Sequence, residues 1–417
     1  MAITVTQTPA AYTPNYNAQA FRATSNQTSV SDFTYRVIVT DLITGTSQTY
    51  NCPKRPVLSD LWFDAKVFTD QFIQNYVPKN TYGFQRCTDA IRKIRVNIGE
   101  YYSASYHAGS NYDYIIWNGV AKPLDWVYYD SSDYVYKNST SNFKYITSDV
   151  YNTLTGWYTS NKITFPDKSH FIYALSSENN DLEFFRINTY DSGGTAIGVY
   201  DIPNPYQSGT TYTDKYVAID VGHKGLTNIS SSLYTVVSGA ASIMGATVAY
   251  YDIIDGYTMP PVTARQNISR IYVGCEPTFT VYTIHYLAKS GNFETLNFNK
   301  MSELTETSEK TFYRQNPNSL NGSSWGYGRD AMWEKCLSSI GQESILLNTD
   351  WLSEDQFNFH REIFTSPVLY IDYGSTIGLV PVKNTTPSIL INKSYNKKNE
   401  GITITVEPTY KNIYQHG

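Results

Sequence analysis

Tyrosine is the feature of this sequence that most restricts its fold, because 38 of the 417 residues are tyrosine. Tyrosine, threonine and valine suit the pleated, half-buried surface of β-sheets rather than long helices. Charged residues make up only 17% of the chain, below the roughly 25% of an ordinary soluble domain. A chain this aromatic can bury enough apolar surface to offset the entropy lost on ordering, which argues against disorder. The composition therefore predicts a mainly β protein, long enough for several domains.

Turn residues and strand patterns divide the chain into three regions. Residues 1–107 are predicted to form an N-terminal β-sandwich, 108–265 a Tyr-rich middle β region, and 266–417 a C-terminal β domain. The predicted fold class is mainly β, with two or three immunoglobulin-like β-sandwich units in tandem and a few short helices.

Alternating apolar and polar residues predict the individual hairpins. Residues 33–39 alternate in this way, and a Thr-Gly-Thr turn at 44–46 leads into 47–50, which indicates a hairpin. Helical spacing of apolar residues predicts a short helix over 67–77. The same reasoning predicts further strands at 94–101 and 268–275. A hairpin is predicted from strand 112–117 through the turn Asn118-Gly119 to a return strand that begins at Val120. The other predicted hairpins pair 182–190 with 195–202, 278–288 with 293–298, 368–373 with 379–383, and 389–395 with 402–406.

The strongest local helix signal lies near the C-terminus. Ser353 is followed three residues later by Gln356, the spacing of a capping box. Leu352 and Phe357 have the spacing of a hydrophobic staple, an apolar pair that packs together at the start of a helix. A capped helix is predicted over 353–364, ending before a Ser-Pro pair.

Two glycine motifs have the spacing of catalytic or cofactor sites. Residues 322–326 match Gly-x-Ser-x-Gly, and residues 326–331 loosely fit a dinucleotide fingerprint. Both motifs need a preceding buried strand, but the residues before them have the composition of a loop. The preferred interpretation is a glycine-rich loop before a helix near 331–336.

No catalytic, cofactor-binding or metal-binding residue is predicted, and the chain is not expected to be an enzyme. The six histidines form no His-Glu-x-x-His motif, and His223 with Asp220 is too little for a metal site. His285 lies in a strand pattern, which indicates a packed or edge residue. Asp130 and Asp133 are interpreted as a solvated turn, with calcium ligation as the alternative.

Charge and cysteine content exclude further classes. The net charge is −5, and no long basic run is present, which argues against nucleic-acid binding. The four cysteines lie far apart and are interpreted as reduced packing residues.

The uncharged stretch 225–251 is rich in Ser, Gly and Thr, so β and loop structure is predicted rather than a stable membrane span. The first residues lack the basic and apolar regions of a secretory signal.

A tyrosine-rich stretch provides the candidate interaction surface. Tyr128, Tyr129, Tyr134 and Tyr136 flank two aspartates. Tyrosine gives a large, rigid contact area with a polar tip, which is typical of binding surfaces. The four residues are predicted to form a subunit interface, and a plain sheet surface or a glycan platform remain the alternatives.

Several segments carry a family resemblance. The segment Thr-Ser-Pro-Val-Leu-Tyr-Ile-Asp-Tyr-Gly at 365–374, together with Leu-Val-Pro-Val at 379–382 and Ile-Thr-Ile-Thr-Val at 402–406, resembles the C-terminal part of tail-associated virion proteins from crAss-like bacteriophages of Bacteroidota. Residues 71–102 resemble the N-terminal unit of these proteins. Residues 282–298 are similar to a strand–turn–strand of the family, although Ser290 and Asn292 depart from its Gly-Gly-Phe-Asp-like turn.

This resemblance implies a non-catalytic structural component of a phage virion. The expected protein is a tail hub or barrel ring subunit that forms a homo-oligomeric ring and contacts other tail proteins. It would be made in the host cytoplasm without a signal peptide and reside in the virion tail. The alternative function is a receptor- or glycan-binding module of a tail fibre or appendage.

Overall fold

The protein is mainly β, as its tyrosine-rich composition predicts. The computed structural model describes residues 3–78, 82–120, 162–176, 182–207, 212–257, 263–274, 278–314, 319–321, 324–326, 333–374, 376–386, 399–410 and 412–414. Among these residues, no helix has both the length and the apolar character that crossing a membrane requires.

Two sheets enclose the first apolar core. Strands β1, β3 and β6 form a three-stranded sheet, and a six-stranded sheet has the order β2-β10-β8-β4-β5, with β9 paired to β8. Alternate residues of β4, including Tyr35 and Val37, pack with Phe21 of β3 and Ile116 of β10 in this core. The strands are β1 Thr4–Gln7, β2 Tyr12–Pro14, β3 Ala20–Thr24, β4 Thr34–Asp41, β5 Ser47–Cys52, β6 Leu61–Asp64, β7 Gln85–Arg86, β8 Ile91–Tyr102, β9 Ser105–His107 and β10 Asn111–Trp117.

A buried three-stranded sheet, β12-β15-β7, connects two cores in the middle of the chain. Ile172 of β12 packs in one core with Ile253 of β17, whereas Phe171 and Tyr173 pack in the other core with Trp117. A six-stranded sheet has the order β11-β18-β17-β13-β14-β16. The strands are β11 Lys162–Thr164, β12 Phe171–Leu175, β13 Phe184–Tyr190, β14 Ala196–Pro203, β15 Tyr216–Asp220, β16 Thr235–Ser238, β17 Tyr250–Tyr257 and β18 Thr263–Val273.

The C-terminal part is built on an eight-stranded sheet of order β20-β19-β26-β27-β29-β24-β21, with β30 paired to β24. Phe357, from a helix, packs against Ile284, Ile371 and Ile404 of this sheet. The strands are β19 Tyr282–Leu287, β20 Phe293–Phe298, β21 Glu303–Arg314, β22 Ser319–Asn321, β23 Ser324–Gly326, β24 Glu334–Asn348, β25 Leu352–Ser353, β26 Leu369–Asp372, β27 Leu379–Asn384, β28 Asn399–Glu400, β29 Thr403–Pro408 and β30 Asn412–Tyr414.

The described helices are short. They are α1 Lys66–Thr69, α2 His223–Asn228 and α3 Glu354–His360, with 3₁₀ turns at Thr88–Ala90, Tyr212–Lys215, Ser231–Leu233 and Arg361–Phe364. The helix predicted over 353–364 is confirmed as α3 and the 3₁₀ turn that follows it. Leu352 and Phe357 pack in the same apolar core, as the staple spacing predicts.

Two helix predictions differ from the structure. A short helix is present where one was predicted over 67–77, but it covers only Lys66–Thr69, and the Gln74 N–H donates to the Asp89 carbonyl instead of a helical one. Where a helix was predicted near 331–336, residues 334–336 are instead the start of strand β24 and pair with β21, while 331 and 332 lie outside the described residues.

Four of the predicted hairpins are confirmed by their pairings. These pairs are β4–β5, β13–β14, β19–β20 and β26–β27. The return strand predicted to begin at Val120 does not begin there: the Val120 N–H donates to the Lys289 carbonyl of the β19–β20 turn, and the residues that follow lie outside the described ones. Most of the predicted 389–395 strand lies outside the described residues, and the predicted domain boundaries stay predictions.

Candidate functional site

The four candidate interface residues lie outside the described residues, so the surface they would form stays a prediction. Asp130 and Asp133 lie there too. Two other features of the described residues have the geometry of interaction sites. One is a long β-ribbon at the edge of the C-terminal sheet, and the other is a pocket on the same sheet.

The β-ribbon consists of β21 and β24. The register runs from Glu303 opposite Leu346 to Arg314 opposite Glu334, and β21 is the last strand of its sheet. β24 also pairs with β29 and β30, but those pairings cover only residues 339–341 and 345–348. The far half of the ribbon is therefore a two-stranded hairpin arm without a third strand among the described residues.

The arm exposes apolar side chains. All twelve residues of β21 are exposed, including Phe312 and Tyr313 in the arm, and Leu337 of β24 is exposed beside them. A two-stranded ribbon is marginally stable in water, and an exposed edge strand offers unpaired N–H and C=O groups to another chain. The arm therefore has the features of a surface that is covered by another protein.

A pocket lies where four elements meet. Its walls come from β11, from β20, from the loop that follows β24 and from helix α3, and its cavity has a volume of about 110 Å³. Sites for drug-sized ligands have volumes of roughly 300–1,000 Å³, so this cavity is small. Its polar and aromatic lining residues include Lys162, His170, Asn297, Asn299, Asp350, Trp351, Gln356 and His360.

The floor of the pocket carries a lysine and a histidine in contact. The Nζ of Lys162 lies 3.1 Å from the Nε2 of His170, whose side chain is buried. Burial, together with the nearby Lys162, lowers the pKa of His170 well below its usual value, so the imidazole is neutral at pH 7. The ammonium donates to Nε2, which places the imidazole proton on Nδ1.

The rim of the pocket carries an exposed tryptophan. The indole of Trp351 is 71% exposed, and its backbone N–H donates to the Oδ1 of Asp350 at 2.8 Å. The Oδ2 of Asp350 lies 3.2 Å from the Nζ of Lys300, so its negative charge is balanced outside the pocket. The Oδ1 of Asn299 accepts a hydrogen bond from the Asp350 N–H, which fixes this part of the rim.

His285, which the sequence marks as a packed or edge residue, is fully buried. Its Nδ1 lies 2.9 Å from the Oγ1 of Thr295, and its Nε2 lies 3.9 Å from the Oδ2 of Asp372. A hydroxyl, an imidazole and a carboxylate in this order resemble a nucleophile triad, but 3.9 Å is too long for the hydrogen bond that a triad requires. The arrangement is therefore assigned to packing of the sheet core.

The Gly-x-Ser-x-Gly motif does not form a nucleophile elbow, and the dinucleotide-like motif at 326–331 lies outside the described residues apart from Gly326. Ser324 begins β23, which pairs antiparallel with β22, whereas a nucleophile elbow needs a strand–turn–helix.

Within the part of the chain that the structure describes, no group of three or more His, Cys, Asp or Glu side chains could hold a metal ion. Cys52, Cys87 and Cys336 are free thiols, as predicted.

Comparison with known proteins gives no relative: no protein-family model, no curated protein and no solved structure matches this chain.

Proposed function

We propose that the chain is a non-catalytic structural subunit that assembles with copies of itself through the β21–β24 arm. The observation that supports this function is an edge strand of twelve residues, every one of them exposed. Closing a ring of subunits would cover this strand and leave no free edges.

The resemblance to tail-associated proteins of crAss-like phages gives the proposed setting. In it, the subunit belongs to a hub or barrel ring in a virion tail and contacts other tail proteins. Tandem immunoglobulin-like sandwiches are part of the same proposal, supported by the first core, in which two sheets face each other across Phe21 and Tyr35. Tyr128, Tyr129, Tyr134 and Tyr136 would extend the interface beyond the arm.

Sedimentation velocity of the full chain over a wide concentration range tests assembly, and electron microscopy of the same sample shows whether the oligomer closes. A closed ring of several copies is the expected result. A monomer at every concentration would contradict the proposal. A trimer without rings would favour the alternative, a receptor- or glycan-binding module of a tail fibre. Imaging of virions labelled at this protein should place the ring in the tail.

A further inference from the structure

We propose that the loop before β6 binds the surface of an anionic lipid membrane, with its apolar tip entering the lipid and its arginines contacting phosphate groups. The loop runs from Arg55 to Asp60, and its tip is the turn Pro56-Val57-Leu58. This function does not depend on assembly through the arm, because the loop belongs to the N-terminal part of the chain and the arm to the C-terminal sheet.

The tip exposes consecutive apolar side chains. Val57 is 91% exposed and Leu58 is 57% exposed, and Pro56, which precedes them, is exposed as well. Single apolar residues on a surface are ordinary, but three in a row at a turn present a continuous apolar patch to the solvent. Side chains at the tip of a turn project outward and do not enclose a cavity, so they suit insertion into another medium.

The loop is held in place although its tip is exposed. The Arg55 N–H donates to the Asp60 carbonyl at 3.0 Å, and the Ser59 N–H donates to the Arg55 carbonyl at 2.9 Å. The hydroxyl of Tyr35, a residue of the first core, donates to the Ser59 carbonyl at 3.0 Å. Pro56 also fixes one backbone angle of the tip. The apolar side chains are therefore already ordered, which reduces the entropy lost on binding.

An exposed tryptophan lies beside the loop. Trp62 of β6 is 57% exposed, and the Cζ of Arg55 lies 5.6 Å from the centre of its ring. Tryptophan combines a large apolar surface with one polar N–H, and it is enriched where a membrane meets water. Trp62 therefore extends the apolar tip with a side chain that suits the level of the lipid headgroups.

Two arginines beside the tip keep free hydrogen-bond donors. Arg55 donates to the carboxylate of Asp60 through Nε and Nη2, whereas Arg22 donates to it through Nε. The Nη1 of Arg55 and both terminal nitrogens of Arg22 make no hydrogen bond to a described residue. Guanidinium groups bind phosphate oxygens through donors of this kind.

The charges around the loop favour an anionic lipid over a neutral one. Among the described residues, Asp60 is the acidic residue that forms ion pairs with Arg22 and Arg55, so two positive charges face one negative charge. Lys54, next to Arg55, donates to the Thr28 carbonyl, which is a neutral group, so its charge adds to this excess. Basic groups close to an anionic membrane each contribute about 1 kcal/mol to binding.

Flotation of the full chain with lipid vesicles tests this proposal. The probes are vesicles of phosphatidylcholine alone and vesicles that also contain phosphatidylglycerol, which is anionic. The protein should bind the anionic vesicles at least about fivefold more tightly, as expected for one excess positive charge, and added salt should weaken this binding. No binding to either kind of vesicle would overturn the proposal. Equal binding to both would overturn the assignment of an anionic surface.

Glutamate variants test the role of the tip. Leu58→Glu should weaken binding to anionic vesicles about tenfold or more, because an apolar side chain is lost and a negative charge meets the lipid. Ile377→Glu is the matched control, since Ile377 is 67% exposed at the turn between β26 and β27 and should not affect binding. Binding that survives Val57→Glu and Leu58→Glu together, with circular dichroism showing a folded variant, would contradict the role of the tip.

Fluorescence locates the contact on the protein. Lipid with brominated acyl chains quenches tryptophans that reach the membrane, so it should quench part of the emission of the parent protein. Trp62→Phe keeps an aromatic side chain and should retain most of the binding while losing this quenching. Quenching that is unchanged in Trp62→Phe would show that another face of the chain meets the lipid, and would overturn the proposal.

Discussion

The carboxylate of Asp372 lies 3.8 Å from the ammonium of Lys224, and the two side chains are 0% and 5% exposed. Asp372 ends β26 of the C-terminal sheet, whereas Lys224 belongs to α2 of the middle region. The Gly374 N–H and the Ser169 N–H donate to the same carboxylate. The pair is therefore a buried electrostatic link between two parts of the chain that are far apart in sequence.

Removing one partner of this pair should be strongly destabilising. Asp372→Asn or Lys224→Met should each lower the free energy of unfolding by about 3–5 kcal/mol, because a buried charge loses its partner. The double variant should lose less than the sum of the two. Urea unfolding measures all three, with Lys383→Met as a control whose exposed pairing with Glu407 should be worth under about 1 kcal/mol. Additive effects of the two substitutions would show that the pair does not couple.

Acid should destabilise the protein partly through Asp60. The Arg55 guanidinium, 2.5 Å away, and Arg22 hold the pKa of the buried Asp60 carboxyl well below its usual value. A carboxyl whose pKa is lower in the folded state adds stability above its unfolded pKa of about 4, and this stability is lost as the pH falls toward the folded pKa. Asp60→Asn should therefore lower the melting temperature most at pH 7 and clearly less at pH 3, where the unfolded chain already binds the proton. An equal deficit at both pH values would contradict this role.

A glycine holds the contact between the β19–β20 turn and the end of β10. Gly291 has φ +93°, and a Cβ there would lie 1.3 Å from the Asn118 carbonyl oxygen. Gly45 in the β4–β5 turn also has a positive φ, +70°, but no atom lies within 4 Å of its Cβ position. Gly45→Ala should cost only the backbone strain of about 1–2 kcal/mol. Gly291→Ala should cost clearly more in chemical unfolding, and equal costs would show that the turn moves away freely.

The sequence predicted features that depend on neighbouring residues and missed those that depend on distant pairing. Hairpins such as β13–β14 and the start of α3 were predictable, because alternation and capping act over a few residues. The arm was not predicted, because β24 pairs with a strand that begins 31 residues earlier, at Glu303. The pocket was not predicted either, since Lys162, Asn297 and His360 meet only in the folded chain. Trp351, just before the predicted helix start, is the local signal that could have marked it.

The arm gives the most direct prediction about assembly. Phe312 is 56% exposed on β21, so replacing it with glutamate should leave the fold intact while placing a charge on the proposed contact. Leu58→Glu is the matched control, because Leu58 is 57% exposed in the N-terminal part of the chain, outside the arm. Phe312→Glu should shift the sedimentation profile from oligomer to smaller species, and Leu58→Glu should not. Both variants should keep the circular dichroism and melting temperature of the parent protein, since neither side chain is part of an apolar core. An oligomer that survives Phe312→Glu and Leu337→Glu together would exclude the arm as the assembly surface, because these substitutions charge both of its strands.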